Sequence, residues 1–368
     1  MNRKAVLIAR DFAPSGCFKR LEPILKERGF DVDLFIGEGK PLIKTAEEIA
    51  LAASHASVVI LGMSSSLELA QPEIAAGEAT RTAGVPYGFY GDVPRCWARA
   101  RNGAWFEKLA PATAFYFGVT QADADVAHEV FPNARLVGTG NPLREEMAFP
   151  RFTRDEVRSK LGVAIDEKIV LAAGGGGQFG VGNMASWTIV MEALSLLRAK
   201  GQRFQLILAT HPGDRTPYAI DAATQKEMKL YDKLIFFSPV PARIVGREVL
   251  TTSDMVPGAD IIVEFGGSIG IEGAYQNVPV VSLGFEVLFR ILERISGNRV
   301  LEAVGSGLSE LVVADASKLA DKIRILLTAD GFVQMRARQQ ELCPRPTERG
   351  AALRKMADVI EQIIGTSA

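Results

Sequence analysis

The sequence predicts an α/β protein that consists of two doubly wound domains in tandem, each a parallel sheet with helices on both faces. Short apolar runs alternate with segments of helical periodicity along most of the 368 residues, as strands and crossover helices do in parallel sheets. Near residue 140 this alternation stops, and a turn-rich segment followed by a charged one indicates a domain boundary. We therefore expect a first domain over 1–142, a second over 143–345 and a C-terminal helix over 346–368.

In the first domain, six apolar runs predict strands, and three segments with apolar residues at helical spacing predict helices. Gly29 and Gly84 each follow a helical segment, at the place where glycine commonly ends a helix. The predicted strands are 4–9, 31–36, 57–61, 85–90, 114–119 and 135–137, and the predicted helices are 18–28, 46–53 and 69–83.

The same alternation restarts in the second domain. Trp187 and the apolar residues spaced helically after it, as far as Leu197, predict one helix. A last helix is expected over 353–363, with Gly365 as its cap. Five apolar runs predict the strands of this domain, at 168–172, 204–209, 233–237, 260–263 and 278–283.

Composition excludes several classes of protein. Hydrophobic residues make up 48% of the chain, too many for a disordered protein, and 42 basic side chains nearly balance 43 acidic ones, which argues against a general nucleic-acid binder. The three cysteines lie far apart and match no zinc spacing, so we expect reduced thiols. No apolar run approaches the roughly 20 residues that span a bilayer, and the run 5–9 is too short for a signal peptide. We expect a cytoplasmic protein, and a peripheral contact with a membrane stays open.

The segment 259–284 is the clearest candidate for a ligand site. A predicted strand leads into Gly266 and Gly267, and a helix is expected to begin near Ser268. Glycines let a backbone approach a ligand closely, and free N–H groups at the start of a helix favour phosphate. Glu272 follows one turn later, where a carboxylate could accept hydrogen bonds from both hydroxyls of a ribose. The alternative is a tight strand–helix turn in which Glu272 merely complements the helix dipole.

This segment resembles the donor-nucleotide motif of GT-B glycosyltransferases, and it is most similar to the peptidoglycan N-acetylglucosaminyltransferase and the UDP-N-acetylglucosamine 2-epimerase groups. The shared pattern is the strand after Ala259-Asp260, the paired glycines, Glu272 and the later Pro279-Val280. Residues 137–144 resemble the interdomain TGNP-x-R signature of that transferase, and 168–177 its glycine-rich donor loop. The resemblance implies two Rossmann-like domains facing across a cleft, with the donor in the second domain and a last helix that crosses back to the first.

The resemblance also implies roles for donor-side residues. Glu272 would contact the ribose, and the backbone around Gly266, Gly267, Ser268 and Ile269 would bind the diphosphate. The glycine-rich loop after the predicted strand 168–172 would approach the donor phosphate or sugar through three further residues, Gly175, Gly176 and Gln178.

His211 lies in a Thr-His-Pro-Gly segment after a predicted strand. The His-Pro pair at this place resembles the 2-epimerases and the polyol-phosphate polymer transferases, where an imidazole could neutralise the leaving diphosphate. The alternative is a histidine that faces solvent on a loop.

On the acceptor side the sequence leaves more open. Asp11 and Asp92 each follow a predicted strand, and either could take the proton of an acceptor hydroxyl or could cap the turn after it. Ser64 and Ser65 follow a third strand and are expected to line the acceptor pocket. The segment 9–16 departs from the GGTGGH loop of the peptidoglycan transferase.

Arg95 begins a short basic stretch that is interleaved with two tryptophans, Trp97 and Trp105. Such a patch could meet an anionic acceptor, a lipid surface or nucleic acid. The alternative is a solvated helix whose tryptophans pack inside the domain.

Together these features predict a hexosyltransferase that moves a sugar from a nucleoside diphosphate sugar, UDP-linked, to the hydroxyl of an acceptor that the sequence does not identify. No DxD-type carboxylate cluster stands out, so we expect a metal-independent enzyme without a cofactor. Two alternatives stay open. One is a UDP-sugar 2-epimerase or nucleotide-sugar hydrolase, and the other is a non-catalytic protein that binds nucleotide sugars.

Overall fold

The computed structural model describes residues 3–98, 104–164, 166–175, 182–209, 232–246, 249–296 and 299–366. The chain forms two compact units. Unit 1 comprises Met1–Glu146, Ile295–Gly297 and Pro346–Ala368, and unit 2 comprises Met147–Arg294 and Asn298–Arg345. Each unit contains one parallel sheet of six strands, so the predicted α/β organisation with two doubly wound sheets is confirmed.

The sheet of unit 1 has the strand order β2-β1-β3-β4-β5-β6, and that of unit 2 has the order β12-β11-β10-β7-β8-β9. In each sheet the order reverses beside the first strand, between β1 and β3 in unit 1 and between β7 and β10 in unit 2. The strands are β1 (Arg3–Ala9), β2 (Phe30–Ile36), β3 (Val58–Gly62), β4 (Tyr87–Tyr90), β5 (Phe115–Gly118), β6 (Arg135–Gly138), β7 (Lys168–Ala173), β8 (Phe204–Ala209), β9 (Ala242–Val245), β10 (Ile261–Glu264), β11 (Val280–Gly284) and β12 (Glu310–Val313).

Helices follow most strands, as crossover connections between parallel strands require. Among the described residues, the first five helices and the last belong to unit 1, and the others belong to unit 2, apart from the last two residues of the helix Glu286–Ser296. They are α1 (Phe12–Glu27), α2 (Ala46–Ser54), α3 (Gln71–Ala83), α4 (Gln121–Val126), α5 (Pro142–Glu145), α6 (Arg154–Lys160), α7 (Asn183–Arg198), α8 (Thr252–Met255), α9 (Ile269–Tyr275), α10 (Glu286–Ser296), α11 (Glu302–Gly305), α12 (Ala316–Leu326), α13 (Ala329–Leu342) and α14 (Ala351–Thr366).

The core of each unit forms because its central strands are apolar on both faces. In unit 1, residues 5–9 of β1 are fully buried, with Phe18 of α1 and Met356 of α14 in the layer on one side of the sheet. In unit 2, Trp187 of α7 is fully buried in the layer that covers β7. Within the described residues, no helix is both long enough and apolar enough to cross a bilayer.

Three sequence predictions about elements were wrong. Residues 233–236 are helical instead of forming a strand, and the strand of that region is β9, after Pro241. Phe236 and Phe237 are exposed, so their apolar run does not mark a core strand. The last helix continues through Gly365 to Thr366 instead of ending there, and α1 begins at Phe12, six residues earlier than predicted.

Candidate functional site

Unit 2 contains a cavity of about 210 Å³ at the carboxyl ends of its central strands. Ala173 ends β7, Ala209 ends β8, and Gly267 follows β10, so the cavity lies where the strand order of the sheet reverses. Ligands of open parallel sheets bind at such a reversal. The remaining lining residues come from the loops and helix starts above these strands: Gly174, Thr251, Thr252, Ser253, Ser268, Ile269 and Glu272.

The loop after β7 is held from inside the unit. The backbone N–H of Gly175 donates to Oδ1 of Asn183 at 2.8 Å, and the side-chain amide of Asn183 donates to the carbonyl of Gly175 at 3.2 Å. Gly174 donates its N–H to the carbonyl of Ala209 at 2.7 Å. A Cβ at Gly174 would lie 3.2 Å from the ring of Trp187, so this position favours glycine. Gly175 is therefore buried and fixed beside the cavity.

The loop after β10 is held by Glu264, the last residue of that strand. Its carboxyl group is buried and accepts hydrogen bonds from the hydroxyl of Ser282 and from the N–H of Gly267, the latter at 3.2 Å. The Ser282 hydroxyl also lies 2.6 Å from the hydroxyl of Ser309. Burial raises the pKa of Glu264 to about 7, although the hydrogen bond from Ser282 opposes the rise.

Gly267 leaves space in front of the backbone. A Cβ built on it would meet only Ile269, at 3.9 Å, whereas the neighbouring Gly266 has a left-handed φ of +74° that disfavours other residues. Ser268 is the N-cap residue of α9, but its exposed side chain makes no capping hydrogen bond. The backbone of 266–268 thus passes close to the cavity without a side chain filling it.

Glu272 lies in the first turn of α9, is 6% exposed, and lines the same cavity. A carboxylate in this place can accept hydrogen bonds from two neighbouring hydroxyls of a ligand. The position agrees with the role that the sequence predicts for it, and the role itself stays a prediction.

A hydroxyl-bearing segment lines another wall. Thr251 caps α8 through a reciprocal pair of hydrogen bonds with Asp254, and Arg151 donates to Asp254 at 2.8 Å. Burial works to raise the pKa of Asp254, but the hydrogen bonds from Arg151 and Thr251 outweigh it and lower that pKa. The negative charge of Asp254 therefore secures the segment from which Thr252 and Ser253 line the cavity.

The structure thus brings Gly267, Ser268, Ile269 and Glu272 together around one cavity, with Gly175 and Gly266 at the bases of its two loops. Gly176, Gln178 and His211 lie outside the described residues. Sequence reasoning missed Thr251–Ser253, Asn183 and Glu264. One signal was present in the sequence, because Glu264 is an acidic residue that ends an apolar strand directly before paired glycines.

In unit 1, two predicted residues meet at the reversal between β1 and β3. Asp11 follows β1, and its carboxylate accepts from the backbone N–H of Ser65 at 2.6 Å and from the Ser65 hydroxyl at 3.1 Å. Asp11 is the N-cap residue of α1 but makes no side-chain capping bond. Its carboxylate, which is half-buried, is therefore held by the loop after β3 instead of by its own helix.

Ser64 is fully buried, and its hydroxyl donates to Glu73 in the first turn of α3. Its carbonyl accepts from the indole N–H of Trp105 at 3.1 Å. Ser64 thus fixes the loop after β3 to α3 and to Trp105, whereas Ser65 contacts Asp11. Sequence reasoning missed Glu73, although it shares a helix face with Ala76, Gly77 and Thr80, an apolar pattern in which an acidic residue is out of place.

Asp92 lies in the loop after β4 and is 8% exposed. Its carbonyl accepts from the side chain of Asn141 at 2.7 Å, and Oδ1 lies 3.5 Å from the thiol of Cys96. Arg95 in the same loop is exposed, has a left-handed φ of 51°, and donates its backbone N–H to Asp123 at 2.6 Å.

The tryptophans near Arg95 do not form a surface patch. Trp97 and Trp105 are 7% and 8% exposed and pack edge-on against Tyr116 and Phe89 respectively. The patch interpretation is therefore wrong for its aromatic part, because these rings belong to the core of unit 1. In the part of the chain that the structure describes, no three His, Cys, Asp or Glu side chains come together in a metal-binding cluster.

Three solved structures are similar to this chain over nearly its whole length. S. aureus MnaA, in a co-structure with UDP, is 14% identical, covers 99% of this chain and 97% of its own, and has a TM-score of 0.60. A UDP-GlcNAc 2-epimerase from Neisseria meningitidis bound to UDP-GlcNAc is 12% identical, with coverages of 98% and 100% and a TM-score of 0.58. Acinetobacter baumannii MurG is 12% identical, with coverages of 98% and 100% and a TM-score of 0.59. The sequence matches no protein-family model and no curated protein.

Proposed function

Because the chain has the GT-B fold, we propose that it is a glycosyltransferase that takes a sugar from a nucleoside diphosphate sugar, UDP-linked, to an acceptor hydroxyl. One observation carries the proposal: the cavity at the strand reversal of unit 2 is lined by Gly267, Ser268 and Glu272. This combination suits a nucleotide, since it offers unobstructed backbone next to a buried carboxylate.

The ligand chemistry follows from the lining. Glu272 accepts hydrogen bonds from the ribose hydroxyls, and the backbone N–H groups of Ser268 and Ile269 donate to the diphosphate. The hydroxyls of Thr252 and Ser253 supply further donors on the facing wall. S. aureus MnaA was solved with UDP and the Neisseria meningitidis epimerase with UDP-GlcNAc, which supports a uridine nucleotide as the first donor to test.

The transfer needs a base and a stabilised leaving group. Asp11 takes the proton from the acceptor hydroxyl; the acceptor oxygen forms a bond to the anomeric carbon, and the bond from that carbon to the diphosphate oxygen breaks. The diphosphate leaves with the bonding electrons, and donors at the cavity stabilise its charge. We favour Asp11 over Asp92 because the Asp11 carboxylate is half-exposed, whereas Asp92 is 8% exposed. His211 remains our proposal for an additional donor to the diphosphate.

Release of free UDP tests the reaction. We expect a panel of UDP-sugars to include one that yields UDP only when a hydroxyl acceptor is added. Release of UDP without an acceptor would indicate a hydrolase, conversion of the sugar at C2 an epimerase, and binding without turnover a nucleotide-sugar binding protein. Any of these three results would contradict the transferase proposal.

A further inference from the structure

Glu73 occupies an unusual place in unit 1. It lies in the first turn of α3 on the buried face of that helix, and its side chain is fully buried. Its Oε1 accepts hydrogen bonds from the Ser64 hydroxyl and from the backbone N–H of Arg10, the latter at 3.4 Å. One carboxyl group therefore contacts both loops at the strand reversal of this sheet, the loop after β1 and the loop after β3.

These two contacts lie directly next to the Asp11–Ser65 pair. Arg10 precedes Asp11, and Ser64 precedes Ser65, so Glu73 holds the residue before each member of the pair. Asp11 in turn accepts both the N–H and the hydroxyl of Ser65. Any shift of Glu73 would therefore change the position of Asp11 and its hydrogen bonds together.

The second oxygen of Glu73 indicates which protonation state fits this place. No donor among the residues that the structure describes reaches Oε2, although this atom is buried. A charged oxygen without a partner is far more costly to bury than a neutral one. Burial correspondingly raises the pKa of Glu73 to about 8, the hydrogen bonds from Ser64 and Arg10 oppose the rise, and the nearby Asp11 charge adds to it.

The charged groups around Glu73 also favour its neutral, protonated form. Asp11 faces it from the loop after β1. The guanidinium of Arg10 does not pair with it, because that group donates to the carbonyls of Lys40 and Glu68 at 3.3 and 3.0 Å. A neutral Glu73 places no second negative charge beside Asp11.

We propose that Glu73 acts as a neutral positioning residue, which fixes the two strand-end loops so that Asp11 stays held by Ser65 while it accepts the acceptor proton. This inference rests on the proposed function for the role of Asp11 as the base, but the arrangement of Glu73, Ser65 and Asp11 can be tested in the free chain. Ionisation of Glu73 introduces a like charge next to Asp11 and disturbs the loop.

The first arm of the test uses the chain without substrate. The backbone amide resonance of Ser65 is followed by NMR from about pH 6 to pH 9 in the wild type, in Glu73→Gln and in Glu78→Gln. Glu78 is an exposed residue of the same helix and serves as the matched control. We expect the Ser65 amide to shift with a midpoint near the pKa of about 8 in the wild type and in Glu78→Gln, and the shift to vanish in Glu73→Gln. A Ser65 amide that does not move in the wild type, or that moves equally in Glu73→Gln, would overturn the proposal.

The second arm measures turnover against pH. Glu73→Ala leaves Ser64 and Arg10 without their acceptor, and we expect turnover at about pH 7 to fall roughly tenfold or more. Glu73→Gln should recover most of that loss and should lose less activity than the wild type between about pH 7 and pH 9. If Glu73→Gln shows the same alkaline decline as the wild type, the positioning role is wrong.

The two arms separate the two proposals. If no nucleotide sugar is turned over but the Ser65 amide follows Glu73, the proposed function fails and the arrangement around Asp11 stands. If turnover is found and the Ser65 amide ignores Glu73, the proposed function stands and this inference fails.

Discussion

At the strand reversal of each sheet a buried glutamate holds a loop by hydrogen bonds, but the two loops differ in their chemistry. At the reversal of unit 1, buried Glu73 accepts from a serine hydroxyl and from the N–H of Arg10. At the reversal of unit 2, buried Glu264 accepts from a serine hydroxyl and from the N–H of Gly267. Burial raises both pKa values, to about 8 and about 7 respectively. In both units a buried acid holds the loop that carries the candidate site.

What the acid holds differs between the units. In unit 1 Glu73 holds Arg10, and the residue after Arg10 is Asp11, a hydrogen-bond acceptor. In unit 2 Glu264 secures Gly267 beside a cavity that is lined by serine and threonine residues and by the start of α9. The first arrangement suits proton acceptance and the second suits an anion. This difference supports our proposal that the acceptor chemistry belongs to unit 1 and the nucleotide to unit 2, and each half of that proposal has its own test.

The largest effect is expected from Asp11→Asn. The amide keeps the size of the side chain but cannot take a proton, so turnover should fall about 100-fold or more, while the affinity for UDP stays unchanged. Steady-state kinetics and calorimetry measure the two quantities separately. Asp92→Asn is the parallel variant, and a larger loss there than in Asp11→Asn would make Asp92 the base.

Glu272→Ala should produce the next effect, on affinity in unit 2. It removes charge-assisted hydrogen bonds to the ribose, and a net loss equal to one such bond, roughly 1.5–3 kcal/mol, weakens UDP binding about tenfold to 100-fold. Calorimetry measures the affinity, and circular dichroism checks the fold. Glu192→Ala, an exposed change on α7 in the same unit, is the control. Equal affinities of the two variants would remove Glu272 from the donor site.

Gly267→Ala tests the open space in front of the loop. The new methyl group meets only Ile269, at 3.9 Å, so the fold should be preserved while the space for the diphosphate narrows. We expect UDP affinity to fall about tenfold and the melting temperature to stay within about 2 °C of wild type. Gly266→Ala is the contrasting variant, because the φ of +74° at this position strains an alanine and should lower the free energy of unfolding by about 1 kcal/mol. Wild-type affinity in Gly267→Ala would place the diphosphate elsewhere.

The last prediction concerns the stability of the chain against pH. The pKa of Glu264 rises on folding from an ordinary 4.5 to about 7, so the stabilisation that its neutral form provides is complete below about pH 4.5 and is lost as the pH rises through about 7. Glu264→Gln is neutral at every pH. Its free energy of unfolding, measured with denaturant, should increase relative to that of the wild type by on the order of 3 kcal/mol between about pH 4.5 and pH 8. A constant difference across this range would mean that Glu264 does not keep its proton in the folded chain.

The sequence predicted correctly those features whose residue pattern depends on a single strand, helix or loop. Central parallel strands such as β1 and β7 are buried on both faces and appear as apolar runs, and paired glycines before a helix marked the loop at 266–268. The run 233–237 misled because an apolar segment alone does not show whether it is buried, and Phe236 is 82% exposed.

Contacts between distant segments escaped the sequence for a different reason. Glu264 binds Ser282 across the sheet, and Glu73 binds the backbone of Arg10, which lies 63 positions away. Such pairs arise only once the strand order places β10 beside β11, and β1 beside β3. The residues that carry the site could thus be proposed from sequence, whereas the acids that hold them required the fold.

A crystal structure of the chain with UDP tests the assignment of the nucleotide to unit 2 most directly. We expect the ribose hydroxyls to lie within hydrogen-bond distance of the Glu272 carboxylate and the diphosphate to lie against the backbone of Gly267 and Ser268. UDP bound at full occupancy at any other place would contradict this assignment. A cavity that holds no nucleotide, at a UDP concentration that saturates the chain in solution, would contradict it as well.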